Sequence, residues 1–109
     1  EMMGGRLSCV VDARAVPVLP GAWEAADACL YTAAGQRNRN HTGPFVRFEN
    51  VPFPMEEILF DPQTSGGLLL AVAPQKAEAL ARELRAAGLP AAIVGEIRDA
   101  QPTEITVKY

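Results

Sequence analysis

The chain places a polar, turn-forming loop directly before an unbroken apolar run, and this pairing constrains the fold more than any other feature. The loop consists of Asp61, Pro62, Gln63, Thr64, Ser65, Gly66 and Gly67, and the run of Leu68, Leu69, Leu70, Ala71 and Val72. Proline fixes one backbone dihedral, and paired glycines reach conformations that other residues avoid. We therefore expect a turn of one defined shape, followed by a strand over residues 67–73 that is buried on both faces.

Elsewhere, the spacing of apolar residues predicts a mixture of helices and strands. Strands are expected at residues 7–12, 91–97 and 104–109, with a short extended segment at 45–48. Helices are expected at residues 22–31 and 74–87, with a shorter helical segment at 55–60. Residues 32–44 are polar and are expected to form a loop. This order favours an α+β or α/β sandwich in which helices pack on a sheet.

The composition is that of one globular domain of modest size. The 109 residues are 49% hydrophobic and carry a formal net charge of −3, which argues against a general nucleic-acid binder because phosphate contacts need clustered Lys and Arg. No apolar run approaches the length of a membrane span, and residues 1–5 lack the pattern of a signal peptide. Cys9 and Cys29 lack metal-ligand spacing and are expected to be reduced and buried, as in a cytoplasmic protein. A disulfide between them is the alternative.

The loop at residues 61–67, called the 61–67 loop below, has three possible roles. Successive backbone N–H groups in a glycine-rich turn can converge on a phosphate. Strong phosphate loops run from strand to helix, however, whereas these glycines are expected to lead into a strand and no Lys follows them. The other roles are a rigid turn in which Asp61 caps nearby N–H groups, and a loop that lines a cleft shared with another domain. These last two, combined, are favoured.

A second candidate site is the basic segment formed by Arg37, Asn38 and Arg39. Guanidinium groups suit phosphates and carboxylates, and functional groups often lie on loops. Arg37 is therefore a candidate for binding a substrate or product anion, and a solvated surface loop is an equally strong interpretation. His41, the one histidine, is expected at the surface, and Trp23 in the core.

The carboxylates give no sign of a metal centre. Glu56, Glu57, Glu96 and Asp99 are expected to be solvated or to cap backbone groups, and no pair has the spacing of a metal site. A Ser-His-Asp arrangement cannot be assembled from neighbouring residues either. Asp61 is the one carboxylate that lies within a motif.

Several segments together resemble one enzyme family. They are Asp-Pro-Gln-Thr-Ser-Gly-Gly-Leu-Leu at residues 61–69, Gly-Gln-Arg-Asn-Arg-Asn at 35–40, Ile-Val-Gly-Glu-Ile at 93–97, and the Pro-containing stretch at 12–21. Their order and spacing resemble those of the selenide, water dikinase (selenophosphate synthetase) family over nearly the whole chain. That family belongs to the aminoimidazole-ribonucleotide-synthase superfamily of ATP-dependent enzymes. The first segment is specific, and the others would be weak alone.

The resemblance implies a layered α/β sandwich with a mixed sheet, partly like ferredoxin-like folds. It also implies a reaction in which ATP, selenide and water give selenophosphate, AMP and orthophosphate, with Mg²⁺ neutralising the phosphates. In the family, the reactive Cys or selenocysteine, its Lys and most metal-binding aspartates belong to the N-terminal half. Residues 1–109 are therefore expected to be a single C-terminal domain fragment of a two-domain enzyme, truncated at its N-terminus and inactive alone.

For this fragment the resemblance implies no catalytic residue, no bound ATP or Mg²⁺ and no metal ligand. The residues expected to line a cleft or bind substrate are Asp61, Gln63, Thr64, Ser65, Gly66, Gly67, Arg37 and Asn38. The expected partners are the N-terminal catalytic domain and a second copy of the chain, because a missing neighbour leaves an exposed sheet edge or face. Neither nucleic acid nor a membrane is expected as a partner, and the expected location is the cytoplasm.

Two other functions fit parts of the sequence. One is a different ATP-dependent member of the superfamily, of the hydrogenase-maturation or thiamine-phosphate kinase type. The other is a stand-alone ligand-binding or regulatory module of ferredoxin-like type, which the short order of elements permits. The complete motif at residues 61–67 favours selenophosphate synthesis.

Overall fold

Four strands and four α-helices build the part of the chain that the computed structural model describes, residues 5–109. The first four residues, which include most of the segment tested for a signal peptide, lie outside the described residues. The elements are β1 (Leu7–Asp12), α1 (Ala22–Asp27), α2 (Ala33–Thr42), β2 (Val46–Glu49), α3 (Phe53–Phe60), α4 (Pro74–Ala86), β3 (Gly95–Asp99) and β4 (Ile105–Lys108). Short 3₁₀ turns at Ala13–Ala15 and Gly43–Phe45 follow β1 and α2.

The strands form one mixed sheet in the order β2-β4-β1-β3. β4 runs parallel to both of its neighbours, with Ile105 opposite Cys9 of β1 and Val46 of β2. β3 is antiparallel to β1, with Ile97 opposite Cys9. The predicted α+β class with a mixed sheet is confirmed.

One face of the sheet is apolar and the other is polar, because side chains alternate along each strand. The apolar face packs against α1 and α3, and the core centres on Ala13, Met55 and Val107. Trp23 of α1 packs against this core, as the sequence predicts. The opposite face carries Ser8, Arg47, Glu49, Thr106 and Lys108. The apolar face thus fixes α3, and through α3 the start of the 61–67 loop.

The prediction of a loop at residues 32–44 is wrong, because most of this segment forms α2. The Thr32 side chain caps the helix by accepting a hydrogen bond of 2.9 Å from the Gly35 N–H. The helix has no apolar stripe and therefore no periodic signal in the sequence. The preceding helix is also shorter than predicted, since the chain turns at Cys29 with φ 59° and α1 ends at Asp27.

The predicted buried strand at residues 67–73 is absent from the described residues, and this prediction is wrong. Leu68 is 89% exposed and Leu69 71%, so the apolar run is not buried on either face. An apolar run reports hydrophobicity, but a strand also needs a neighbour for its N–H and C=O groups. None of the four strands pairs with this segment.

The remaining elements follow their local patterns closely. The predicted segments at 7–12, 55–60 and 104–109 correspond to β1, α3 and β4, and the extended segment at 45–48 overlaps β2. α4 ends within a residue of its predicted boundary, and Gly88 follows with φ 82°. β3 begins four residues later than predicted, at Gly95 rather than residue 91, and all its residues are exposed at the sheet edge. No helix among the described residues is long and apolar enough to cross a membrane.

Candidate functional site

The two candidate segments of the sequence meet where α2 packs against the end of α3. Gly35 of α2 is buried, and a Cβ atom there would lie 3.3 Å from the Thr32 hydroxyl and 3.7 Å from the Phe60 carbonyl oxygen. The contact therefore leaves almost no room for a larger residue at position 35. This close approach brings α2 onto Phe60 and Asp61, where α3 ends and the 61–67 loop begins.

Two side-chain hydrogen bonds join α2 and its cap to the start of the loop. The Asn38 amide nitrogen donates to the Phe60 carbonyl at 2.9 Å. The Thr32 hydroxyl donates to a carboxylate oxygen of Asp61 at 3.3 Å, while it also accepts from the Gly35 N–H. Asn38 and Asp61, both predicted site residues, thus lie at one junction. Asp61 accepts a hydrogen bond here, whereas the sequence suggested that it caps backbone N–H groups.

A partly buried ion cluster holds α2 against α3 beside this junction. Arg39 contacts Glu56 at 2.9 Å and Glu57 at 2.7 Å, and Gln36 donates to the other carboxylate oxygen of Glu57. The Arg39–Glu57 contact lacks hydrogen-bond alignment, so it acts as a charge pair only. The Arg39 guanidinium also lies 4.8 Å from the centre of the Phe60 ring.

The expectation that Glu57 is solvated or a cap is wrong, because the residue is 3% exposed and paired with Arg39. Glu56 is paired with the same arginine. No local sequence signal identifies this cluster, because its charges belong to two different helices. Glu96 and Asp99 lie on the exposed strand β3, as expected for solvated carboxylates, and Glu96 pairs with Arg98.

The 61–67 loop is fixed at its start and exposed at its tip. Besides the Asp61 contact, the Gln63 amide donates to the Ile58 carbonyl at 3.3 Å. Thr64, Ser65, Gly66 and Gly67 are all exposed. Gly67 adopts φ 72°, a left-handed conformation that suits glycine. The loop therefore has a defined entry and presents its polar tip to solvent.

Arg37 lies on α2, not on the predicted loop. Its side chain is exposed and makes no hydrogen bond or ion pair with any residue in the range 5–109. It directly precedes Asn38 on α2, but the two side chains leave the helix in different directions. His41 also lies on α2 and is exposed, as predicted, although on a helix.

No cluster of possible metal ligands lies among residues 5–109. Mg²⁺ prefers several oxygen ligands, and residues 5–109 hold no group of three His, Cys, Asp or Glu side chains able to share a metal ion. Both cysteines are free, but Cys29 is exposed, so its predicted burial is wrong. Cys9 is half-buried, and burial raises the pKa of its thiol.

The mixed sheet, with α1 and α3 on its apolar face and a glycine-rich loop at the end of α3, makes this an α+β domain. The sequence model of the family "AIR synthase related protein, C-terminal domain" matches residues 1–108, and the chain belongs to this family.

The similar curated proteins include several bacterial enzymes named selenide, water dikinase. That of Agathobacter rectalis is 55% identical over 96 residues, which cover 87% of this chain and 28% of that protein. That of Desulfitobacterium hafniense strain Y51 is 42% identical over 108 residues, 99% of this chain and 32% of that protein. That of Treponema denticola is 42% identical over 81 residues, which cover 74% of this chain and 23% of that protein. The chain spans less than a third of the length of each of these relatives.

Replacing Arg39 by Met tests how strongly the ion cluster holds α2 to α3. We expect the free energy of unfolding to fall by about 3 kcal/mol, because Glu57 is left buried without its counter-charge. This is the lower end for a broken buried pair, since the Arg39 side chain is 27% exposed. Urea unfolding monitored by circular dichroism measures the change.

The matched control is Arg98→Met, which breaks the exposed pair with Glu96 and is expected to cost less than about 1 kcal/mol. Adding Glu57→Gln to Arg39→Met should recover part of the loss, because it removes the uncompensated charge. Equal losses for Arg39→Met and Arg98→Met would show that the cluster is not a strong contact.

Proposed function

We propose that the chain is the C-terminal domain of an ATP-dependent selenide, water dikinase. The complete enzyme would convert ATP, selenide and water into selenophosphate, AMP and orthophosphate. The observation that carries the proposal is the junction of α2 and the 61–67 loop. Residues 35–40 and 61–69, which carry much of the family resemblance, are distant in sequence but joined through the Asn38–Phe60 hydrogen bond. The names and identities of the relatives support the same function.

In this proposal the domain contributes a cleft wall, and the reacting groups belong to another domain of the same polypeptide. The ATP phosphates and their metal would be held mainly by the N-terminal catalytic domain, in keeping with the lack of a cluster of three possible metal ligands among residues 5–109. Residues 1–109 form one domain of a longer, two-domain enzyme, and that enzyme acts in the cytoplasm. The reacting cysteine or selenocysteine likewise lies outside these residues.

The exposed part of the 61–67 loop supplies the polar surface of this cleft wall. Gln63, Thr64 and Ser65 offer amide and hydroxyl groups, and Gly66 and Gly67 leave backbone N–H groups open to approach. The loop does not lead directly into a helix, since α4 begins at Pro74. It therefore lacks the helix field of a strong phosphate loop, and a lining role suits it better than a phosphate cradle.

A domain exchange tests the function. We expect a chimera of the Agathobacter rectalis enzyme, in which the residues of this chain replace the matching segment, to retain selenide-dependent formation of AMP and selenophosphate. Phosphorus NMR detects selenophosphate, and chromatography quantifies AMP. The isolated 109-residue chain should form no AMP under the same conditions. A chimera that melts cooperatively, like its parent, yet turns over ATP without using selenide would contradict the proposal.

Arg37→Ala in the same chimera tests whether this exposed guanidinium binds an anionic group of the substrate or product. We expect kcat/KM to fall about tenfold to a hundredfold, the equivalent of one lost hydrogen bond to a charged group. Arg82→Ala, at an exposed arginine of α4, is the matched control and should leave the kinetics unchanged. Steady-state assays at varied ATP and selenide measure both; equal constants for Arg37→Ala and Arg82→Ala would remove Arg37 from the site.

Self-association is the expected consequence of the exposed leucine row. Leu68, Leu69 and Leu70 are 89%, 71% and 54% exposed, and contiguous apolar surface of this kind favours association. We therefore propose a homodimer. Light scattering should detect its molar mass as the protein concentration rises. Leu69→Gln should weaken it, whereas Leu19→Gln, at a leucine outside this row that is 79% exposed, should not. A monomeric mass at all concentrations would count against the dimer.

A further inference from the structure

We infer that Asn38 is a positioning residue, which sets the direction of the 61–67 loop through the carbonyl group of Phe60. The inference assigns Asn38 to the support of the loop and not to contact with substrate. The expected effect of Asn38 on catalysis rests on the proposed function. Its effect on the position of the loop does not.

The orientation of the Phe60 carbonyl group sets the direction in which the 61–67 loop begins. Phe60 is the last residue of α3, and the final carbonyl groups of a helix have no partner within the helix. Its oxygen accepts the Asn38 amide at 2.9 Å, and the bond joins two elements 22 residues apart in sequence. Because the peptide unit is planar, fixing this oxygen also fixes the direction in which the chain enters Asp61.

Asp61 and Pro62, which follow this peptide, have little conformational freedom, so its orientation determines that of the loop. Asp61 leaves α3 with φ −63° and ψ 138°, and Pro62 follows. A residue before proline is confined to extended conformations, so the turn at Asp61 has little freedom. From Thr64 onward the loop is exposed, so its orientation depends on the start of the loop.

Asn38 is itself held in place by the surrounding contacts of α2. Gly35 allows the helix to approach the Phe60 carbonyl closely, and Arg39 pairs with Glu57 one position further along the chain. Phe60 is 6% exposed and its ring packs edge-on against Phe48 of the sheet, with ring centres 5.6 Å apart. The acceptor and the helix backbone that carries the donor are therefore both fixed, as a positioning contact requires.

The chemistry of this contact requires an amide. A carboxylate has nearly the same shape as the Asn side chain but no N–H to donate, so it would place a negative oxygen against the carbonyl oxygen. Asn38→Asp therefore removes the bond with little change in volume. Asn40 lies two residues further along α2, is exposed and forms no side-chain hydrogen bond with the described residues, so Asn40→Asp matches both the charge and the helix.

Nuclear magnetic resonance of the ¹⁵N-labelled protein tests the positioning directly. We expect Asn38→Asp to shift the amide signals of Gly66 and Gly67, which lie beyond any direct contact, and Asn40→Asp to leave them in place. Asn38→Ser, which keeps a shorter donor, should shift the same signals in the same direction by less. It replaces Asn38→Asp in the test if that variant is unfolded at the temperature of the measurement. Unmoved Gly66 and Gly67 signals in both Asn38 variants would overturn the inference.

A kinetic comparison in the chimera separates this inference from the proposed function. We expect Asn38→Asp to lower kcat about tenfold to a hundredfold, the scale of a misplaced cleft group, with Asn38→Ser intermediate and Asn40→Asp unchanged. Shifted loop signals without a kinetic effect would support Asn38 as a positioning residue and contradict the catalytic role of the loop. An inactive parent chimera would contradict the proposed function and leave the NMR result as the deciding observation for Asn38.

Discussion

The pairing of Arg39 with Glu57 is the interaction on which the arrangement of the candidate site depends. Glu57 is withdrawn from water, and a buried carboxylate is tolerated only with a counter-charge and hydrogen bonds to its oxygens. Arg39 supplies the counter-charge and Gln36 a hydrogen bond to one of the two oxygens, so the polar helix is held to α3 by polar contacts rather than by apolar burial. The position of the 61–67 loop follows from that attachment.

The sheet supports this arrangement from the other side of α3. Met55 is 1% exposed beneath the helix, and Phe48 of β2 packs against Phe60 at its end. The apolar layer fixes the height and direction of α3, while the charge cluster fixes α2 beside it. Polar tip residues can then remain exposed without making the start of the loop mobile, because both supports act on Phe60 and Asp61.

Local sequence pattern predicted the elements that carry their own periodicity and breakers, and failed where that pattern is absent or misleading. β1, β4, α3 and α4 carry clear periodicity and breakers, so their positions could be predicted. α2 has no apolar stripe and is held by charges on another helix, so the periodicity of the sequence did not predict it. The apolar run at 68–72 has the length and continuity expected of a buried strand, yet no described strand pairs with it. In the site, the Pro and Gly residues marked the loop in the sequence. The pairing of Glu57 with Arg39 could not be predicted, because the two residues lie on different helices.

The Thr32 hydroxyl has one proton, which it donates to Asp61, while its oxygen receives the Gly35 N–H. The beginning of one helix and the beginning of the loop therefore share a single atom. Fraying of the first turn of α2 would withdraw that atom from both, so the two segments open as one cooperative unit rather than separately.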